Sequence, residues 1–99
     1  MSQGNVRVPS LIPDGGGSFS TSTTSARSTA DHPAGSNHVW VWADVASWIN
    51  IGDDTVTASN NDMPLPANVP VFLRIAQGQR IAAITFTGTG NLYYAATTY

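Results

Sequence analysis

Cysteine, lysine and glutamate are absent from this 99-residue chain. Without cysteine there is neither a disulfide framework nor a thiolate metal site. Without lysine and glutamate, long exposed helices lose residues that usually fill their surfaces, which argues against a helical protein. Charge is scarce altogether: arginines and aspartates make up 10% of the residues and leave a net charge of −2, whereas an ordinary soluble domain is about one quarter charged. Arg7, Arg27, Arg74 and Arg80 are scattered along the chain, so no basic patch forms and nucleic-acid binding is not expected. No apolar run approaches the roughly 20 residues of a membrane helix. The opening MSQGNVRVPS lacks the basic and apolar regions of a signal peptide. The expectation is a protein made in the cytoplasm, with neither nucleic acid nor membrane as a partner. Few charges beside a 41% apolar content suit a surface covered by neighbouring subunits, since charged residues are depleted in the cores of interfaces.

What is present divides near residue 36. Residues 1–36 include GGGSFSTSTTSARSTADHPAGS, a stretch with little to bury and hence little to offset its own ordering entropy. It reads as an extended arm carrying the spaced apolar anchors Val6, Val8, Leu11, Ile12 and Phe19. Residues 37–99 read as a body of short strands: 38–43, 47–51, 55–58, 71–76, 80–86 and 92–97, separated by Gly-, Asn- and Asp-rich turns. The stretch MPLPANVP holds three prolines and is expected to run extended without regular ladder bonds. No segment repeats apolar residues at helical spacing. The expected fold is all-β, a small antiparallel β-sandwich of jelly-roll-like or barrel-like form, with six or seven strands and an extended N-terminal arm. A body of 63 residues (37–99) is marginal alone, so a homo-oligomer, trimer or dimer, or docking onto a larger assembly is expected.

Chemistry finds little to work with. His38 and Asp44 flank a strand with Ser47 nearby, but no GxSxG elbow accompanies them. His32, His38, Asp53, Asp54 and Asp62 are the available metal ligands, and His32 and His38 lie at no known ligand spacing. Asp53-Asp54 after Gly52 is more simply a turn, and GTGN (88–91) is a hairpin turn instead of a dinucleotide fingerprint. The expectation is no enzyme, no cofactor and no metal.

All three tryptophans, Trp40, Trp42 and Trp48, fall in VWVWADVASWINIG. In one continuous strand they would share a face, the arrangement of a sugar-stacking platform. The weak strand character of DVAS breaks that parity. Within VWVWA both faces are bulky and apolar, the pattern of a strand covered on both sides. Trp42 or Trp48 is therefore expected inside, with Trp40 the contact to another chain.

Trp48 to Gly52, Leu65 to Ala67, Gln77 to Ile84 and Gly90 to Tyr94 together resemble small structural proteins of tailed bacteriophages and prophages: a W-x-N-I-G strand, an LPA segment, a Gly turn into IAAI, and a closing G-x-L-x-x hairpin. The resemblance spans residues 39–99 and leaves the arm out. It implies a non-enzymatic β-sandwich of the virion, a capsid decoration or cement protein laced to its neighbours by the arm, with the major capsid protein or other virion proteins as partners. A neck or tail component is the alternative within that resemblance. A carbohydrate-binding sandwich using the Trp cluster is the alternative outside it. The expected contact residues are Val6, Val8, Leu11, Phe19, Trp40, Phe72 and Tyr99.

Overall fold

A computed structural model describes residues 10–98, with the side chains of Pro13 and Asp14 outside that description. Val6, Val8 and Tyr99, three of the expected contact residues, lie outside the described residues.

Eight strands follow one another: β1 (Ser10–Thr21), β2 (Ala26–Arg27), β3 (His38–Ala43), β4 (Ser47–Gly52), β5 (Met63–Leu65), β6 (Val71–Arg74), β7 (Arg80–Thr85) and β8 (Gly90–Thr98). No helix occurs among the described residues. The pairings β1 with β8, β2 with β7, β3 with β6 and β4 with β5 are those of one long antiparallel ribbon whose tip is the β4–β5 connection. Rolling the ribbon brings β8 beside β3 and β7 beside β4. Two four-stranded sheets result: sheet I in the order β1-β8-β3-β6 and sheet II in the order β2-β7-β4-β5. This is the double-sheet jelly roll, the more specific of the two forms expected.

Strand alternation builds the core. Val39, Val41 and Ala43 of β3 point inward and are fully buried, as are Leu92 of β8 and Leu65 of β5; Ile49, Ile75, Ile81 and Ala83 complete the cluster. Burying one such leucine stabilises by roughly 1.5–3 kcal/mol, and the core draws on both sheets in equal measure.

Three expectations are corrected. The stretch read as an arm belongs to the sandwich from Ser10 onward, because β1 is an edge strand of sheet I and β2 an edge strand of sheet II. Its poverty in apolar side chains misleads, since it is held by backbone pairing to β8. The boundary at residue 36 therefore divides no arm from a body. Residues 55–58 form no strand; Val56 and Ala58 instead lie on the outside of sheet II against Ala82 and Ile84. Within the proline-rich segment, Met63–Leu65 does pair with β4, and Pro64 is accommodated because β5 is at the sheet edge.

β1 also carries a wide irregularity. Leu11 pairs with Thr97 and Gly16 with Ala95, so Ile12 to Gly15 all stand against Ala96 alone. At Gly15 an added Cβ would meet the Ala96 Cβ at 2.8 Å, and at Gly17 it would meet the Tyr94 hydroxyl at 2.6 Å. The glycines of GGGS thus let the edge strand close over β8.

Candidate functional site

The outer face of sheet I is built row by row from the strand registers. Leu11, Thr97, His38 and Arg74 form the first row across the four strands. Gly16, Ala95, Trp40 and Phe72 form the second, and Ser18, Tyr93 and Trp42 the third. Ser20 and Asn91 follow, with Asp44 beside them just past the end of β3. Trp42 and Tyr93 stack with ring centroids 4.6 Å apart and planes 22° from parallel. Phe72 is 47% exposed and Leu11 72% exposed, while Trp40, Trp42 and Tyr93 are half-buried. Four aromatic residues thus share this face, with His38 and Arg74 toward one end and Asp44 at the other. Contiguous exposed apolar surface of this kind marks contact sites.

Sheet II provides its own cover. Residues 53–62 cross its outer face, tied down by Arg27 Nη1 donating to the Val56 carbonyl (3.0 Å), Asn50 Nδ2 to the Thr57 carbonyl (3.0 Å), and the Ala58 N–H to Ser25 Oγ (2.9 Å). Trp48 projects from this face too, stacked on Phe86 at 4.0 Å. No described segment crosses sheet I in the same way.

These placements sort the expected residues. Leu11, Trp40 and Phe72 come together on the outer face of sheet I. Phe19 does not join them: it faces inward against the core, with its ring 6.4 Å from that of Tyr94. The expectation that Trp42 or Trp48 lies inside is overturned, because Val39, Val41 and Ala43 take the inward positions of β3 and Ser47 and Ile49 those of β4. The chain passes from sheet I to sheet II between Ala43 and Ser47, so Trp40 and Trp42 point away from one side of the sandwich and Trp48 from the other. The three indoles form no single platform. Tyr93 was missed from the sequence, although the alternation of LYYAAT sets Tyr93 and Ala95 on one face.

The catalytic candidates are dispersed. Asp44 Oδ1 accepts the Asn91 N–H at 2.8 Å, while Ser47 Oγ donates to the Val45 carbonyl within its own turn. His38 Nδ1 sits 2.8 Å from Asn37 Oδ1 at the far end of β3. Asp53 accepts from the Thr55 N–H and hydroxyl, which holds its carboxyl below the usual carboxylate range. Asp62 accepts from the Ser59 N–H. Among the described residues, no three potential ligands converge.

A serine–histidine contact the sequence did not suggest lies at the Leu11–Arg74 end of the sandwich. His32 and Ser36 are both buried, and Nε2 lies 2.8 Å from Oγ. Ser36 Oγ also lies within hydrogen-bond distance of the Thr97 and His38 carbonyls. A hydroxyl has one proton, so Oγ donates to one of these neighbours, and Nε2 donates to Oγ or accepts from it according to the tautomer of His32. The pair is buried and tied to the backbone of β3 and β8, the arrangement of a structural clasp. Burial lowers the His32 pKa, partly opposed by a hydrogen bond to the Ser36 backbone. A cleft of ≈ 120 Å³ beside it is bounded by Tyr94, Ile75, Ile81 and the Arg80–Asp31 ion pair (2.8 Å).

Compared with family models, curated proteins and solved structures, the chain matches none.

Proposed function

We propose that the protein is a non-enzymatic structural component of a tailed-phage virion, a capsid decoration or cement protein that works by contact. The observation that carries this reading is the aromatic outer face of sheet I, where Trp40, Trp42, Phe72 and Tyr93 share one side of the sheet. A jelly roll that covers one face with residues 53–62 and sets four aromatic rings on the other is suited to docking. The resemblance of residues 39–99 to small phage structural proteins supplies the setting, and the major capsid protein is the partner it implies. The dispersal of His38, Asp44 and Ser47 favours a binding role over catalysis. With Trp48 on the opposite side from Trp40 and Trp42, a three-indole sugar platform gains no support.

Purified particles provide the test. Imaging reconstruction is expected to place the jelly roll on the outer shell with the sheet I face covered. Particles that lack the protein, or carry it with that face toward solvent, would sink the reading.

A further inference from the structure

We propose that the β1 margin of sheet I carries a binding site of its own, a shelf that takes one sugar ring of a neutral glycan against Tyr93. This goes beyond the virion reading and stands or falls apart from it.

The shelf follows from the strand registers. Tyr93 and Trp42 stand opposite each other on β8 and β3. Their ring centroids are 4.6 Å apart and their planes 22° from parallel. That separation is close to the ~4.8 Å between neighbouring strands, so the rings stack along the direction that runs from strand to strand. The face of Tyr93 turned away from Trp42 therefore looks over β1. Opposite Tyr93 on that edge strand is Ser18, flanked on the same side of the sheet by Gly16 and Ser20. All three are exposed, and none carries more than a hydroxyl. The phenol ring thus stands as a wall above a floor of small residues, open at the sheet margin. An aromatic face is electron-rich, and the C–H side of a pyranose ring is the complementary surface.

Polar groups take over at the foot of the shelf. Ser20, Asp44, Thr89 and Asn91 border an open depression of ≈ 550 Å³, a size suited to a small ligand. Asp44 Oδ1 accepts the Asn91 N–H, and its second oxygen is a further acceptor. The Ser18 and Ser20 hydroxyls and the Asn91 side-chain amide have no hydrogen-bond partner among the described residues. Thr21 borders the same depression, and its Oγ1 is buried without a partner. Between them these groups donate and accept, as sugar hydroxyls do. Among the described residues bordering the depression Asp44 alone is charged, and like-charge repulsion disfavours phosphorylated or sulfated ligands. One stacked ring at an open margin binds weakly, with a Kd on the order of 1 mM.

The test is a titration of the full chain with the methyl glycosides of galactose, glucose, mannose and N-acetylglucosamine, followed by amide and indole N–H shifts in two-dimensional NMR. At least one glycoside is expected to move the signals of residues 16–20 and 91–93 together with the Trp42 indole. Ser18→Leu fills the shelf from an exposed edge position and should weaken that binding about tenfold. Tyr93→Leu keeps an apolar neighbour for Trp42 but removes the ring face, with a similar loss. Asp44→Asn keeps an acceptor for the Asn91 N–H and should weaken binding several-fold. Silence from every glycoside overturns the proposal, as do shifts centred on another surface. Binding indifferent to both Ser18→Leu and Tyr93→Leu overturns it equally. A sulfated galactose that binds more tightly than galactose itself would overturn the preference for a neutral glycan.

Discussion

His32 and Ser36 bond side chain to side chain in the interior, and through Ser36 the imidazole is tied to the carbonyls of Thr97 and His38. The backbone closes the same knot, with the His32 N–H donating to the Gln79 carbonyl and the Gly78 N–H to the His32 carbonyl. One residue thereby joins the β2–β3 connection, the β6–β7 turn and the last strand of the ribbon.

Removing the hydroxyl should loosen that end of the sandwich. Ser36→Ala leaves the Thr97 carbonyl and His32 Nε2 short of a partner in a buried place, a loss of about 1–3 kcal/mol. Urea unfolding followed by tryptophan fluorescence should show a lower midpoint with an unchanged slope. A midpoint equal to that of the parent would mean that water replaces the hydroxyl at no cost.

Acid should act through the same histidine. Burial lowers the folded-state pKa of His32 below its ordinary value near 6.5, so the unfolded chain binds its proton first. The stability this contributes is complete above about pH 6.5 and is lost as pH falls from there toward the folded-state value. Unfolding midpoints measured between pH 8 and pH 5 should therefore decline on the acid side. His32→Gln should show a smaller decline over the same range, and an identical decline would assign the effect to other groups.

Neighbouring glycines of β1 should differ sharply. A methyl at Gly15 would stand 2.8 Å from the Ala96 Cβ, whereas one at Gly16 would approach nothing closer than the Tyr94 carbonyl oxygen at 3.4 Å. Gly15→Ala should cost about 1–3 kcal/mol through overpacking against a side chain that cannot move aside. Gly16→Ala should stay within about 0.5 kcal/mol of the parent. Thermal unfolding of the two variants would expose the contrast, and equal losses would mean that β1 shifts bodily to accommodate either methyl.

The strap over sheet II offers a local measurement. Arg27→Ala removes the bond to the Val56 carbonyl and should free residues 53–62 at a cost of about 1 kcal/mol. Limited proteolysis should then cut faster between Asp53 and Asp62 while the global midpoint barely moves. Cleavage confined to other segments would show that Asn50 and Ser25 hold the strap without Arg27.

The fold class was legible because strand alternation and turn residues are local. The strands His38–Ala43, Ser47–Gly52 and Arg80–Thr85 fall close to where β-branched and aromatic runs meet Gly and Asp. What alternation could not decide was the side. In VWVWA both parities are apolar, and only the tertiary arrangement gives Val39 and Val41 to the core and Trp40 and Trp42 to the outside. β1 failed for another reason. Its ordering rests on a ladder to β8, some 80 residues away in sequence, and a Gly/Ser/Thr composition reports side-chain burial but not an available partner strand. His32 was legible only as a possible ligand, because its burial depends on Ser36, Thr97 and the turn at Gly78, none of which forms a sequence pattern with it.

The contact residues divided along the same line. Leu11, Trp40 and Phe72 share a surface because each lies at an outward position of its own strand. Phe19, one of the most hydrophobic residues in its segment, sits at an inward one and belongs to the interior.

Sheet margins decide what kinds of assembly a β-protein can join. Here β2 has two residues, β5 three and β6 four, and prolines stand within β5 at Pro64 and just before β6 at Pro70. The one long margin, β1, is broken by its excursion at Ile12 to Gly15. The longest unbroken run on any margin is the six residues 16–21 of β1, and edges this short or interrupted resist runaway polymerisation. A protein so bounded can crowd at high local density on a surface without knitting into fibres.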